Sequence, residues 1–131
     1  MQSAVLKLLA AERQADAVPI PPPASLDEPA AAKWVEVLPI LQAREDVSQG
    51  DLDALALYCS AWSQWTAAQA QVATLGMVVK SAAGFAQENP YLGIARKAQV
   101  ALRQWAAELK LTPKSRKQAD AVVPANQEPT A

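Results

Sequence analysis

An all-α protein built on a helical hairpin is the fold class this sequence predicts, and three observations predict it. Among 131 residues 29 are Ala, the best helix former, whereas strand-favouring residues are few: 11 Val, 3 Ile, 2 Tyr and 1 Phe. Apolar residues recur at spacings of three and four through three long segments. A helix-start signal heads each of them, at Asp27, Ser48 and Asn89-Pro90. Of the 67 apolar residues, 38 are larger than Ala, roughly enough for one modest core and too few for two domains.

Taken in order, Met1 to Ala17 predicts a short N-terminal helix with Val5, Leu8 and Leu9 on one side. No apolar partner lies nearby in sequence, so this helix either frays or is recruited by a neighbour. Pro19, Pro21, Pro22 and Pro23 each lack an N–H and fix φ, which makes the next stretch an extended, semi-rigid linker. Residues 1–25 are therefore set apart from a helical domain over 26–117. The tail, 118–131, holds Pro124, Pro129 and mostly small or polar residues, too little to offset the entropy of ordering.

Inside the domain, Asp27 caps a first helix with Pro29 in its first turn, running to about Arg44. Ala30, Trp34, Leu38 and Leu41 share one face, and Pro39 predicts a kink or a break because it cannot donate to Val35. A second helix opens at Ser48 with Asp51 as its capping partner and ends before Gly76. Leu52, Leu55, Cys59, Trp62, Thr66, Gln69 and Ala73 form a heptad-like seam. Ala54, Tyr58, Ala61, Trp65, Ala68, Val72 and Leu75 form a second stripe beside it. A helix apolar on several sides must be buried on several sides, which a three-helix monomer is hard pressed to do.

The helical period fails over 77–88, where Met77-Val78-Val79 and Phe85 flank Gly84, and a short β-hairpin near 77–87 is the reading. Asn89-Pro90 then opens a third helix to about Leu109, with Ile94, Ala98, Leu102, Trp105 and Leu109 on its apolar face. The second and third helices are the antiparallel hairpin. Thr112-Pro113 repeats the cap-plus-proline signal and predicts a last helical turn to Arg116 or Lys117.

Composition excludes most chemistries. With no His and one Cys, the chain cannot build a Cys/His zinc site, a Ser-His-Asp triad or a Cys-His pair, and no cofactor ligands are visible. The single Cys59 cannot form an internal disulfide and reads as a small buried hydrophobe in a reducing cytosol. Asp51 and Asp53 stand i, i+2 at a helix start and do not face each other, so capping outweighs acid–base catalysis. Four glycines at 50, 76, 84 and 93 make no phosphate loop. Ala54 to Val79 is long enough to span a bilayer without a charge. Seven polar side chains, Ser60, Ser63, Gln64, Thr66, Gln69, Gln71 and Thr74, argue against a membrane span.

A net charge of −1 hides a segregation: residues 1–79 carry 4 basic and 9 acidic groups, whereas 80–117 carry 8 basic and 2 acidic. Arg96, Arg103 and Lys110 recur at sevens, Lys97 sits beside them, and Lys114, Arg116 and Lys117 extend the positive region. Such clusters track nucleic-acid phosphates by releasing counterions. The competing reading is a solvated helix face, or one that meets acidic groups such as Asp51 and Asp53 on a neighbouring subunit. Trp34, Trp62 and Trp105 read as core; Trp65, on the second stripe with Tyr58 and Val72, reads equally as subunit interface. No helix-turn-helix with a basic recognition helix is present, so nothing here reads bases.

The order of Trp34, Leu41, Asp51, Leu55, Tyr58-Cys59, Trp62 or Trp65, Gly76, Asn89-Pro90, Leu111-Thr112-Pro113 and Ser115-Arg116 resembles one family of small terminase subunits from tailed bacteriophages. The resemblance spans roughly residues 20–117. It departs at Lys110, where a glycine is expected before Leu-Thr-Pro. The resemblance implies a non-catalytic packaging factor in the cytoplasm of the infected host. Such a factor assembles into a homo-oligomeric ring, binds viral double-stranded DNA and regulates the large subunit's ATPase and nuclease. A ring forms when complementary patches meet head to tail and the rotation closes. The alternative is a helical adaptor that binds only protein; an enzyme stands a distant third.

Overall fold

The computed structural model describes residues 4–5, 19–44 and 46–117. The N-terminal helix expected over 1–17, apart from its two described residues, and the tail expected over 118–131 lie outside the described residues. Three helices and one hairpin make up the described chain: α1 (Glu28–Arg44), α2 (Gln49–Leu75), β1 (Val78–Lys80), β2 (Ala86–Glu88) and α3 (Pro90–Glu108). The all-α hairpin architecture and the small antiparallel β unit are both present, with Val78 opposite Glu88 and Lys80 opposite Ala86.

α2 is the axis of the fold, 27 residues and about 40 Å long. It opens on a reciprocal capping box: Asp51 N–H donates to Ser48 Oγ (3.2 Å), and Ser48 N–H donates to Asp51 Oδ2 (2.9 Å). It closes where Gly76, at φ +86°, turns the chain out of the helix. α1 lies along its first half. The core sits there, made of Ala30, Trp34, Val37, Leu38 and Leu41 of α1, Leu55 and Cys59 of α2, and Leu109. Trp34 is 2% exposed, and its indole N–H donates to the Ile20 carbonyl at 2.9 Å, so the proline-rich stretch is pinned along α1. Asp27 ties the other end down: its carboxylate caps Ala30 N–H (3.1 Å) and accepts from Ser63 Oγ at 2.6 Å.

α1 runs unbroken through Pro39. The break does not occur because the buried face on both sides of the proline, Val37, Leu38 and Leu41, holds the turn against α2. The expectation that three tryptophans are core holds for only one of them. Trp34 is core, whereas Trp62 and Trp105 are only half-buried. Lys33 Nζ lies 3.9 Å over the Trp62 ring at the margin of the core, a cation–π contact. On α3 the buried line runs through Ala95, Ala98 and Leu109, and Ile94 is exposed. Beyond Ser63, only Ala68 of α2 is buried. Small residues therefore set the close approach of α2 and α3.

Two junctions fix the hairpin's ends. Asn89 is fully buried and joins three elements: its N–H donates to Met77 O (2.8 Å), its side-chain amide to Gly76 O (2.8 Å), and its Oδ1 accepts from Tyr91 N–H (2.9 Å). At the far end, Lys110 N–H donates to Ala107 O (3.0 Å) and Leu111 N–H to Ala106 O (2.8 Å), a Schellman closure of α3. Lys110 occupies the left-handed position of that motif at φ +55°, where glycine is favoured. Arg44 donates from α1 to the carbonyls of Leu109 and Lys110, capping α3 with a cation.

Opposite stability changes follow at the two junctions. Asn89→Ala removes an N-cap and orphans a carbonyl, and is expected to destabilise the fold by about 2 kcal/mol. Lys110→Gly is expected to stabilise it by about 1 kcal/mol. Urea denaturation followed by tryptophan fluorescence measures both.

Acid sensitivity has an equally specific origin. The Ser63 hydroxyl, then the Ala30 N–H, hold the Asp27 carboxyl below its ordinary value of 3.8. The Ser48 N–H, then its hydroxyl, do the same to Asp51. A lowered folded-state pKa gives stability that is fully present above 3.8 and is lost as pH falls through the folded value. Asp27→Asn and Asp51→Asn are each expected to flatten stability against pH below about 4, as measured by denaturation at stepped pH.

Candidate nucleic-acid interface

The basic residues that sequence reasoning singles out fall into two groups rather than one stripe. α3 turns Ala95 and Ala98 toward α2, and this directs Arg96, Lys97 and Arg103 to the surface. Arg96, Gln99, Val100 and Arg103 together line one open groove. Spacings of three and four place them along a single face. Arg96 also donates to Glu88 Oε1 at 2.8 Å, with both side chains more than half exposed. Water and salt weaken such a pair to a few tenths of a kcal/mol, so it leaves Arg96 free to exchange Glu88 for a phosphate.

Lys110 does not continue this face. α3 ends at Glu108, and the left-handed conformation of Lys110 takes its side chain out of the helical register. The seven-residue recurrence is thus broken at its third member. Lys110 lies instead in a shallow pocket with Arg44, Val47, Asp51 and Glu108 at the junction of α1, α2 and α3. Its charge is one of the influences that lower the Asp51 pKa.

The Leu-Thr-Pro-x-Ser-Arg segment forms a turn held by its own hydrogen bonds. Leu111 packs against the core. Thr112 caps the helical turn over 113–117, its Oγ1 accepting from Ser115 N–H at 3.2 Å while Ser115 Oγ accepts from Thr112 N–H at 3.3 Å. Pro113 takes the first helical position, and Arg116 donates to Leu111 O at 3.1 Å. Lys114 and Lys117 extend from the same turn into solvent. They follow Lys110 within seven residues of chain, and Arg44 donates to the Lys110 carbonyl. Arg44 was not among the sequence-predicted cations; a basic residue in the last turn of α1 was the signal that could have found it.

The expected oligomer-interface residues also divide. Tyr58, Trp65 and Val72 are half-buried along α2. Burial pushes the Tyr58 hydroxyl above its ordinary pKa. Trp65 lies 5.5 Å from Trp62, ring centroid to centroid, and its indole N–H is buried with no hydrogen-bond partner among the described residues. Asp51 is engaged by Ser48 within its own chain, and the exposed Asp53 accepts from Gln49 at 3.0 Å. Beyond these, Leu75, Met77, Val78, Phe85 and Ile94 leave an apolar surface at the hairpin's tip, with Phe85 73% exposed.

Among the described residues no group of three or more His, Cys, Asp or Glu could hold a metal ion, and no helix is long and apolar enough to cross a membrane. Cys59 is buried, and burial pushes its thiol up to about 11. A helical hairpin with an unpartnered apolar flank and two exposed cationic groups defines a class of interaction protein. The particular family follows from the sequence: the profile of the phage terminase small subunit matches residues 30–126, and the chain belongs to that family. Its role is in phage DNA packaging. No curated protein and no solved structure matches the chain.

Proposed function

We propose that this chain is the non-catalytic, DNA-binding and regulatory subunit of a phage packaging motor, acting as a homo-oligomeric ring in the cytoplasm of the infected bacterium. Membership of the small-subunit family carries this reading. In it, the half-buried residues of α2, Tyr58, Trp65 and Val72, meet a neighbouring copy, and Asp51 and Asp53 lie at the edge of that contact. Viral double-stranded DNA is held through phosphates by Arg96, Lys97 and Arg103 of α3 and by Lys110, Lys114, Arg116 and Lys117 of the terminal turn. The ATPase and nuclease chemistry belongs to the large subunit, which this protein regulates.

The apolar flank of α2 that α1 leaves uncovered, with Leu75 52% exposed, supports the assembly step. Repetition supports the binding step, since two or three phosphate contacts per copy are weak alone and multiply around a ring.

Native mass by light scattering after size exclusion tests the assembly. A species several times the 13.9 kDa chain is expected at two protein concentrations. A monomer at both would favour the protein-only adaptor. DNA binding is tested separately by replacing Lys114, Arg116 and Lys117 with Ala. The variant should assemble normally, bind DNA less tightly, and show a shallower dependence of log affinity on log salt, by about 0.9 for each phosphate no longer neutralised. An unchanged affinity at matched salt would remove the terminal turn from the interface.

A further inference from the structure

Pro19, Ile20, Trp34, Val35, Leu38, Pro39 and Gln42 line an apolar groove on α1. Val35 is 64% exposed on its rim and belongs neither to the core nor to the α2 flank. The geometry points to an occupant supplied by a second copy of this chain: we propose that the amphipathic segment around Val5, Leu8 and Leu9 docks in the α1 groove of the neighbouring subunit. This inference rests on the ring assembly proposed above.

The path of the chain carries the argument. The Trp34-to-Ile20 hydrogen bond (2.9 Å) and the presence of Pro19 beside Pro39 and Gln42 show that residues 19–27 run back along α1, against its direction. Pro19 therefore marks the Pro39–Gln42 end of this path, and for the same chain to fill the groove it would have to double back on Pro19. Val5, in a helical conformation, is 54% exposed within the single chain, so its own subunit does not cover it. Val5, Leu8 and Leu9 stand at i, i+3 and i+4, the spacing by which a helix fills an apolar groove. The ten residues from Leu9 to Pro19 reach about 30 Å when extended, about the diameter of a small domain and enough to cross to an adjacent copy. Linking copies through an arm adds effective concentration to the helical interface without enlarging it.

Cross-linking in the full-length protein tests the assignment. Leu8→Cys is combined with Val35→Cys at the exposed rim of the groove, and Cys59 is buried and does not compete. Mild oxidation is expected to give covalent dimers and a higher ladder on a non-reducing gel. A control pairing Leu8→Cys with Gln104→Cys, on exposed α3 surface, should stay largely uncrosslinked. A disulfide confined within one chain, or yields equal to the control, would overturn the inference. Light scattering of the reduced double variant separates the two readings: an intact oligomer without the ladder rejects the arm alone, whereas a monomer rejects the ring and the arm together.

Discussion

The length of α2 governs the rest of the structure. α1 has 17 residues against the 27 of α2, so it can cover only the first half of that helix. Asp27 marks the limit, because it binds Ser63 at the point where α1 begins. Before that point α2 has partners on two sides and buries Leu55 and Cys59 completely. Beyond it, α2 has α3 and the hairpin, and only the small residue Ala68 disappears from solvent. A flank carrying Trp65, Val72 and Leu75 is thereby left open. Exposed apolar surface of this kind is characteristic of an interaction site in a protein that does not aggregate.

Thin two-helix segments lack core to hold their ends, and this protein relies on polar junctions instead. Asn89 satisfies the Gly76 carbonyl and starts α3 with one buried side chain, while its backbone N–H closes the β-hairpin on Met77 O. Arg44 performs the matching role at the other end by drawing the last carbonyls of α3 onto the last turn of α1. The strained φ of Lys110 is tolerated at this second junction because the Schellman bonds, Arg44 and the neighbouring Asp51 all favour a closed turn carrying a positive charge. Glycine would relieve the backbone but would remove that charge. The residue thus exchanges some backbone stability for electrostatics.

Much of this fold was legible in the sequence, because the signals were local. Ser48 with Asp51, Asn89 with Pro90, and Thr112 with Pro113 each act within four residues and each forms the cap that its chemistry predicts. Periodicity placed Ala30, Trp34, Leu38 and Leu41 on one buried face for the same reason. What spacing could not supply was coverage. Trp62 and Trp105 sit on apolar faces, yet their burial depends on how far a different helix extends, which is a tertiary fact. Seven-residue recurrence likewise joined Lys110 to Arg96 and Arg103 without knowing that α3 ends two residues earlier. At Pro39, where local chemistry called for a kink or a break, packing kept the helix continuous.

Separation of the two cationic groups has an electrostatic consequence. From Arg103 to Lys110, the nearest members of the two groups, the path is about 10 Å, a little beyond the screening length of about 8 Å at physiological salt. The α3 groove and the terminal turn are therefore only weakly coupled patches within one chain. Neither offers more than a few charges, and Arg96 and Arg116 already have partners inside the chain, Glu88 and the Leu111 carbonyl. One copy alone is thus a poor match for a duplex that carries one charge per about 1.7 Å. Copies held side by side by the open flank of α2 would turn each patch into a repeated row. In the proposed ring, assembly and nucleic-acid binding would be linked through α2, since the helix too long for its partners would also set where neighbouring cations fall.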